Sequence, residues 1–509
     1  MNNLIDSIIH FRCIPKEETG IGYTLLCQYP KQDDALVQMA LPFCFPEGET
    51  LFGKKENTHN EYYKQEIFTF ILTDIDAIRK YVYCRRFINY IQPECICIIA
   101  KNPHDILFNQ ILDKIVQLRK ISLVTLHEFL EDIVQQPEPA PYDLITNISH
   151  SHIPYEFVLE ESLQQHRYNN IFELLKLFGP SFLVDIIGNM LIERKFVFLS
   201  NSIGKLSETI LTLTSLLYPF TWQHVLIPIL PIQMASYPTA PMPYLIGIKI
   251  SLWEYIKGEC MLGMDDTIVI DIDKGVQVEG PSYSPVLFSK NSNILRSQLS
   301  KILNDQKIMD ISHKNNQIYD VFHLFFYTLF FKYFKCFKHE PTKEITYDFN
   351  GKLLMNAMEN DDKSFFEIFE DSQLCYMFFN ERAEQKSKQI DIESICPLAK
   401  KPKCDVQIMT YIDQIGHVNS MDPRLICKSC NKSIANNEPC SKKSDGLYHT
   451  KCLRCCCCGS NLEGQQIANC EKLKCMYCQK INQPEMNNEE IDSNIKKNMK
   501  KKDKKKQKK

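Results

Sequence analysis

The stretch "LLYPFTWQHVLIPILP", residues 216–231, packs three prolines, one of the chain's two tryptophans and a single histidine into an otherwise apolar run. An apolar run belongs in a core, yet proline removes a backbone donor and fixes φ, so neither a helix nor an inner strand passes through unbroken. Pro219 ends the helical spacing before it, and Pro228 and Pro231 bracket a short piece that fits a strand start, an edge or a bend. Trp222 reads as a core anchor. His224 has no partner motif, so it reads as a buried, hydrogen-bonded histidine rather than a base.

Working outward, residues from about 170 alternate helical and continuous apolar segments: "NIFELLKLFGPSFLVDIIGNMLIE", "KFVFLS", "SETILTLTSLLYPF", "VLIPIL", "YLIGIKI" and "TIVIDID". That alternation predicts an α/β layer whose sheet is covered on both faces. Further helices follow to about residue 385, including an aromatic one from Asp320 to Phe334 and "FFEIFEDSQLCYMFFNERAEQ". Upstream, "YTLLCQYP", "EIFTFILTD", "KYVYCRRF" and "ECICIIA" read as strands, the middle two joined as a hairpin across Asp74 to Ala77. "DILFNQILDKIVQL" then repeats at helical spacing, with Phe108, Ile111, Leu112 and Ile115 on one face. This predicts an antiparallel sheet with a covering helix, followed by a linker at 121–168 that contains the proline-rich "QQPEPAPYDL".

A chain of 509 residues exceeds what one core usually organises, and 44% hydrophobic with 24% charged residues is the balance of a soluble globular protein. The longest aromatic run, "VFHLFFYTLFFKYF", is interrupted by His323 and Lys332 and reads as a buried helix. The N-terminus lacks the pattern of a secretory signal, so the expected location is cytoplasmic. The formal net charge of −3 hides an asymmetry: residues 496–509 carry ten lysines and one aspartate, which makes that tail +9 and the remainder −12. Such a tail is a solvated segment that also suits an anionic membrane surface or a nuclear import signal. The acidic remainder argues against a nucleic-acid groove.

Of the 22 cysteines, 11 fall between Cys427 and Cys478, and the others are scattered among apolar neighbours as small buried hydrophobes. The dense set reads Cys427-x2-Cys430-x18-His449-x2-Cys452-x2-Cys455-x2-Cys458-x16-Cys475-x2-Cys478. Each Cys-x2-Cys knuckle brings two thiolates to the tetrahedral spacing zinc prefers, and eight ligands make two closed, structural sites. The contiguous His-x2-Cys-x2-Cys-x2-Cys is similar to the LIM family, and it lacks the Cys-x-His step of a RING. The resemblance implies that Cys427, Cys430, His449 and Cys452 hold one Zn2+ and Cys455, Cys458, Cys475 and Cys478 a second, in a module that binds a protein partner.

Covalent chemistry has no visible seat. "TIVIDIDKG" places Asp271 and Asp273 as in haloacid-dehalogenase-type phosphatases, but Gly275 stands where that family has Thr or Val, and a strand running into a glycine-closed turn explains the stretch. No Gly-x-x-x-x-Gly-Lys-[Ser/Thr] loop or Gly-x-Ser-x-Gly elbow is present, and "NSIGKLS" has a single glycine.

The ordered positions Glu193-Arg194, Tyr218-Pro219-Phe220, Trp222, His224, Pro228, Leu230-Pro231, Ala240-Pro241, Pro243 and Gly247 resemble the central part of the DENN family. "QYP", "LPFCFPEG" and "FTFILTDIDAIRKYVYCRRF" resemble its upstream section, with Ala77 where glycine is more usual; "VIDID" and residues 347–382 resemble its end. The resemblance covers roughly residues 10–385. It implies a mixed α/β and α+β multidomain chain: a longin-like lobe at 1–120, the linker at 121–168, a three-layer α/β lobe at 169–310 and downstream helices at 311–385. Beyond these come a second linker at 386–424, the double-zinc LIM-like module at 425–481 and the lysine-rich tail at 482–509. The implied activity is guanine-nucleotide exchange on a Rab-type small GTPase, without covalent catalysis. The alternative is a scaffold that binds GTPases or cytoskeletal partners without exchanging nucleotide. No motif singles out GTPase contacts.

Overall fold

In the computed structural model, the described residues are 3–16, 20–30, 34–51, 64–73, 78–88, 92–140, 143–146, 155–158, 168, 170–260, 263–281, 287, 289–306, 310–331, 333–341, 345–390, 440–443, 446–449 and 452. Two compact units divide the chain, Met1–Lys403 and Cys404–Lys509.

The first unit opens with strands β1 (Ser7–Lys16) and β2 (Gly20–Tyr29), helix α1 (Asp34–Cys44), strands β3 (Lys64–Thr73), β4 (Arg79–Ile88) and β5 (Glu94–Ala100), and helices α2 (Asp105–Ile121) and α3 (Leu123–Ile133). The sheet order is β2-β1-β5-β4-β3, with every neighbouring pair antiparallel. β5 explains the geometry best, because all seven of its residues are buried. Its Ile96 and Ile98 join Phe108, Ile111, Leu112 and Ile115 of α2 on one face, while Cys95, Cys97 and Ile99 join Val37, Ala40 and Cys44 of α1 on the other. The alternation of a strand thus serves two covered faces, not the one expected from sequence.

The expected linker at 121–168 is partly built into this lobe. Ser122 caps α3 by accepting from the Thr125 N–H, and Leu126, Phe129, Leu130 and Ile133 bury against α2. The run has its own helical period ahead of the prolines, and its hydrophobic face has a core to meet. A short antiparallel pair, β6 (Leu144–Thr146) and β7 (Glu156–Val158), follows, with Ile145 and Phe157 in the same core.

The α/β part contains α4 (Ile171–Leu191), β8 (Lys195–Ser200), α5 (Ile203–Ser215), β9 (Val225–Ile227), β10 (Tyr244–Lys249), α6 (Ile250–Glu259), β11 (Thr267–Asp271) and β12 (Val276–Glu279). Its sheet runs β12-β11-β8-β10-β9, parallel except for β12. Phe182 and Ile186 of α4 meet Phe196, Ile268 and Ile270, and Ile210 of α5 lies over Gly247 on that same face. Val197, Ile246, Ile248 and Val269 face Leu252, Trp253 and Ile256 of α6 on the other. The expected three layers are present.

Helices α7 (Lys290–Asn304) and α8 (Ile311–Phe330), the hairpin β13 (Phe337–Pro341) and β14 (Ile345–Phe349), and helices α9 (Gly351–Ala357), α10 (Asn360–Phe369) and α11 (Gln373–Ser387) complete the unit. The stretch beginning "FFEIF" is two helices, because Ser372 caps the second by accepting from the Cys375 N–H at 3.1 Å. No helix among the described residues is long and apolar enough to cross a membrane. Of the second unit, the described part is an antiparallel hairpin, β15 (Cys440–Lys443) and β16 (Gly446–His449), together with Cys452.

Candidate functional site

Residues 216–231 sit where the sheet lobe, the α/β lobe and the trailing helices meet. After α5 the chain turns through Leu217 and Phe220, whose N–H reaches the Leu217 carbonyl at 2.8 Å, and the Tyr218–Pro219 peptide is cis. The Phe220 ring lies 4.8–5.6 Å from those of Phe326 and Phe330 on α8, Phe369 on α10 and Phe378 on α11. Rings at these separations and tilts add edge-to-face attraction to their burial. Trp222 is buried and donates its indole N–H to the Val225 carbonyl at 3.1 Å. From the other lobe, Arg79 Nη2 donates to the carbonyls of Trp222 (2.6 Å) and His224 (3.2 Å). Ile229 inserts into the core formed by β1, β3–β5 and α1.

His224 is held as a structural group. Its Nε2 lies 3.0 Å from Glu193 Oε2, while Glu193 Oε1 accepts from the Leu374 N–H at the start of α11 (2.8 Å). Burial pushes the Glu193 carboxyl up, but His224 and the N–H groups of Gln373 and Leu374 more than offset this and hold it below its ordinary value. Glu193 also takes a left-handed φ of 58° that ends α4, with its N–H on the Met190 carbonyl. One side chain therefore joins the end of α4, the 216–231 turn and the α11 N-terminus, whose dipole favours an anion.

Polar ties lock the two lobes together. Arg86 of β4, fully buried, donates to both oxygens of Glu47 (2.6 and 2.8 Å) and, through Nε at 2.9 Å and Nη2, to Glu66. Glu47 in turn accepts from Lys249 at the end of β10, 2.6 Å away. Burial pushes Glu47 up, but Arg86 and Lys249 hold it well below the usual carboxylate range. Nearby the Ile232 N–H reaches the Pro46 carbonyl (2.9 Å), and the Thr69 N–H reaches Ser207 Oγ (3.2 Å). Gly204, in the first turn of α5, lies so close to β3 that a Cβ there would stand 2.4 Å from the Ile67 carbonyl oxygen, so a side chain would force the lobes apart.

The carboxylates at and just after the end of β11 are engaged by its own turn and by the connection from β8 to α5. Asp271 accepts from the Lys274 N–H and Nζ, at 3.1 and 2.8 Å. Asp273 accepts from Ser200 Oγ and the Asn201 N–H, each at 2.8 Å, and from Lys205 Nζ at 3.1 Å. Gly275, at φ 70°, closes the turn with its N–H on the Asp271 carbonyl at 2.8 Å. Open α/β sheets receive ligands at such strand ends, and here both carboxylates already have partners from the protein itself. Sequence reading found Asp271, Asp273, Glu193 and His224 but not Glu47, Arg79, Arg86 or Lys249; paired arginines inside an apolar strand were the available signal.

Of the proposed zinc ligands, His449 closes β16 and Cys452 lies three residues on; Cys427, Cys430, Cys455, Cys458, Cys475 and Cys478 lie outside the described residues. The backbone of Cys440 stands opposite that of His449 in the hairpin.

Comparison with known proteins gives these features a context. The family profile for the uDENN domain matches residues 23–87, and that for the DENN (AEX-3) domain residues 91–275. The boundary between them falls between β4 and β5, inside one sheet, so the two matched regions share a core. The chain is 25% identical over 411 residues to human DENN domain-containing protein 2C, covering 74% of this chain and 42% of that protein. It is 28% identical over 283 residues to mouse DENN domain-containing protein 2D (52% of this chain, 58% of that one) and 29% over 250 residues to human DENN domain-containing protein 1A (48% and 23%). The chain thus spans less than two thirds of the length of each of these relatives. The region from β2 to the Gly275 turn is a uDENN domain followed by a DENN domain, homologous to those of the DENN domain-containing proteins.

Proposed function

We propose that the chain is a guanine-nucleotide exchange factor for a Rab-type small GTPase. The observation that carries this reading is the pair of uDENN and DENN matches over residues 23–275. Such a GTPase holds nucleotide and magnesium under its switch loops, so release is slow until another surface holds those loops. An exchange factor favours the nucleotide-free state by differential affinity and needs no nucleophile or general base. That requirement agrees with a site whose conspicuous titratable residues, Glu193, His224, Asp271 and Asp273, are all engaged in structural contacts. It also agrees with two lobes fixed to one another, because a preorganised docking frame loses little freedom on binding.

The test is release of labelled GDP from a panel of Rab-type GTPases with the full chain as catalyst. Acceleration of at least one supports exchange; acceleration of none overturns it. Binding without acceleration would instead favour the scaffold reading, which the LIM-like spacing motivates. Under either reading, Cys427, Cys430, His449 and Cys452, and Cys455, Cys458, Cys475 and Cys478, are proposed to hold two Zn2+ in a module that docks a protein partner. Closed four-ligand sites stabilise structure and leave no position for water, so nothing in exchange is routed through them. The lysine tail is proposed to add attraction to an anionic membrane surface.

A further inference from the structure

The N-terminal lobe holds a second cysteine cluster that no spacing motif announces. Cys44 ends α1, Cys84 lies in β4, and Cys95 and Cys97 lie in β5; all four are fully buried. Cys84 and Cys97 are direct partners across the β4–β5 ladder, and Cys95 is two residues along the same strand, so the three share one face. Cys44 comes down on that face from the helix above it. The four Sγ atoms lie within 4.8 Å of one another, and those of Cys44 and Cys97 are 3.9 Å apart.

We propose that Cys44, Cys84, Cys95 and Cys97 form a structural tetrathiolate site for a single Zn2+ inside the N-terminal sheet lobe, separate from the C-terminal cysteine set. The geometry carries the argument. A tetrahedral ion with Zn–S bonds of about 2.3 Å sets its sulfurs roughly 3.8 Å apart, so this quartet needs a contraction of no more than about 1 Å to close around one. The sulfurs are already gathered and converge from three elements. Four thiolates without oxygen or nitrogen donors select a soft or borderline ion. With every position filled by sulfur and none open to water, the site is structural.

A buried cation stands beside the quartet. Arg86 reaches the Cys44 carbonyl at 3.3 Å. The present thiol contacts are weak: Cys97 donates to the Ile9 carbonyl at 3.6 Å, and the thiols otherwise meet one another. A bound ion would replace them. It would also pin the end of α1 two residues before Pro46 and three before Glu47, the two residues that bond to Ile232 and Lys249 of the α/β lobe. The site would therefore brace the lobe junction as well as the sheet.

Two complementary metal counts on the reduced full-length chain test this, with added Zn2+ as the probe and unbound metal removed. In the first, Cys427, Cys430, His449, Cys452, Cys455, Cys458, Cys475 and Cys478 are all replaced by alanine. One equivalent of zinc is expected to remain, with an X-ray absorption shell of four sulfurs; a folded protein with no zinc overturns the proposal. In the second, Cys84→Ala/Cys97→Ala is compared with the unsubstituted chain by native mass spectrometry and is expected to hold one zinc fewer. Equal counts in two folded proteins overturn the site, as does a Cys44–Cys97 or Cys84–Cys95 disulfide recovered from the chain as it is isolated. Because the first count leaves the quartet untouched, it decides the matter even if the second variant fails to fold.

Discussion

Glu47 is the most informative single position at the junction. It accepts two bonds from the buried Arg86 and one from Lys249, 202 residues away in the chain. Replacing it with glutamine keeps the volume but turns one acceptor into a donor facing a guanidinium, and it leaves Lys249 without its partner. Removing one member of a buried ion pair costs about 3–5 kcal/mol; because Arg86 keeps Glu66, the lower end applies, and about 3 kcal/mol is a roughly 150-fold change in the unfolding equilibrium. Replacing Lys249, whose side chain is 20% exposed, with methionine, which can mimic its stem, should cost about 1 kcal/mol. In the double variant no Lys249 charge is stranded, so the costs should fall short of additivity by about 1 kcal/mol. The sign with pH is fixed. A carboxyl held below its ordinary range contributes fully above the unfolded value near pH 4.5, and the contribution is lost as pH falls toward the folded value. The Glu47→Gln cost should therefore be level from about pH 5.5 to 8 and shrink in acid. Urea unfolding followed by tryptophan fluorescence reads the α/β part, which holds both tryptophans, and tyrosine circular dichroism reads both lobes. A cost below about 1 kcal/mol at pH 7, or strict additivity with Lys249→Met, would refute the idea that this network couples the lobes.

Phe220→Ala removes the ring at the centre of four others and should cost about 3–5 kcal/mol in the same unfolding assay; a cost under about 1.5 kcal/mol would show that the cluster closes over the gap. Glu94 is raised by burial but brought down to about 2 by hydrogen bonds from His10 and Arg12 and by the charge of Arg119, a depression corresponding to roughly 3 kcal/mol. That stability should be present above about pH 4.5 and vanish as pH falls toward 2, so Glu94→Gln should flatten the acid limb of stability against pH, and an unchanged limb would contradict it. Arg79→Ala removes two charge-assisted bonds to backbone carbonyls and should cost about 2–3 kcal/mol; under the proposed exchange function it should also lower GDP release more than the folded fraction falls. Loss of activity in strict proportion to folded protein would assign Arg79 to stability alone.

Elements with one period and one destination were legible in the sequence. The runs around Phe68, Val82 and Ile98, the helical face of α2 and the apolar strands at Phe196, Ile246 and Val269 all lie where their spacing puts them. β1 escaped because His10 and Arg12 interrupt its apolar run, and only the fold supplies Glu94 to pair with them, at 3.1 and 2.7 Å. α3 was hidden by the prolines that follow it, although Leu126, Phe129, Leu130 and Ile133 already made a helical face. The junction was illegible for another reason. Arg79 with Trp222 and Glu193 with Leu374 are separated by more than a hundred residues, and a period cannot report a contact at that separation.

The same physics explains why residues 216–231 identify the fold without locating its working surface. Phe220 needs four rings around it, the carbonyls of Trp222 and His224 accept one arginine, and Ile229 must fit a core built by the other lobe. Each position answers to a different partner element, so its side-chain type is constrained by burial and hydrogen bonding rather than by any ligand. A docking surface for a folded partner has the opposite character: its residues are exposed and spread over several elements, and solvent satisfies them when the partner is absent. Such residues leave no period and no spacing to read. What the sequence can supply is the frame, and under the proposed function its ties at Glu47, Arg79, Gly204 and Phe220 would present both lobes to a partner already in position.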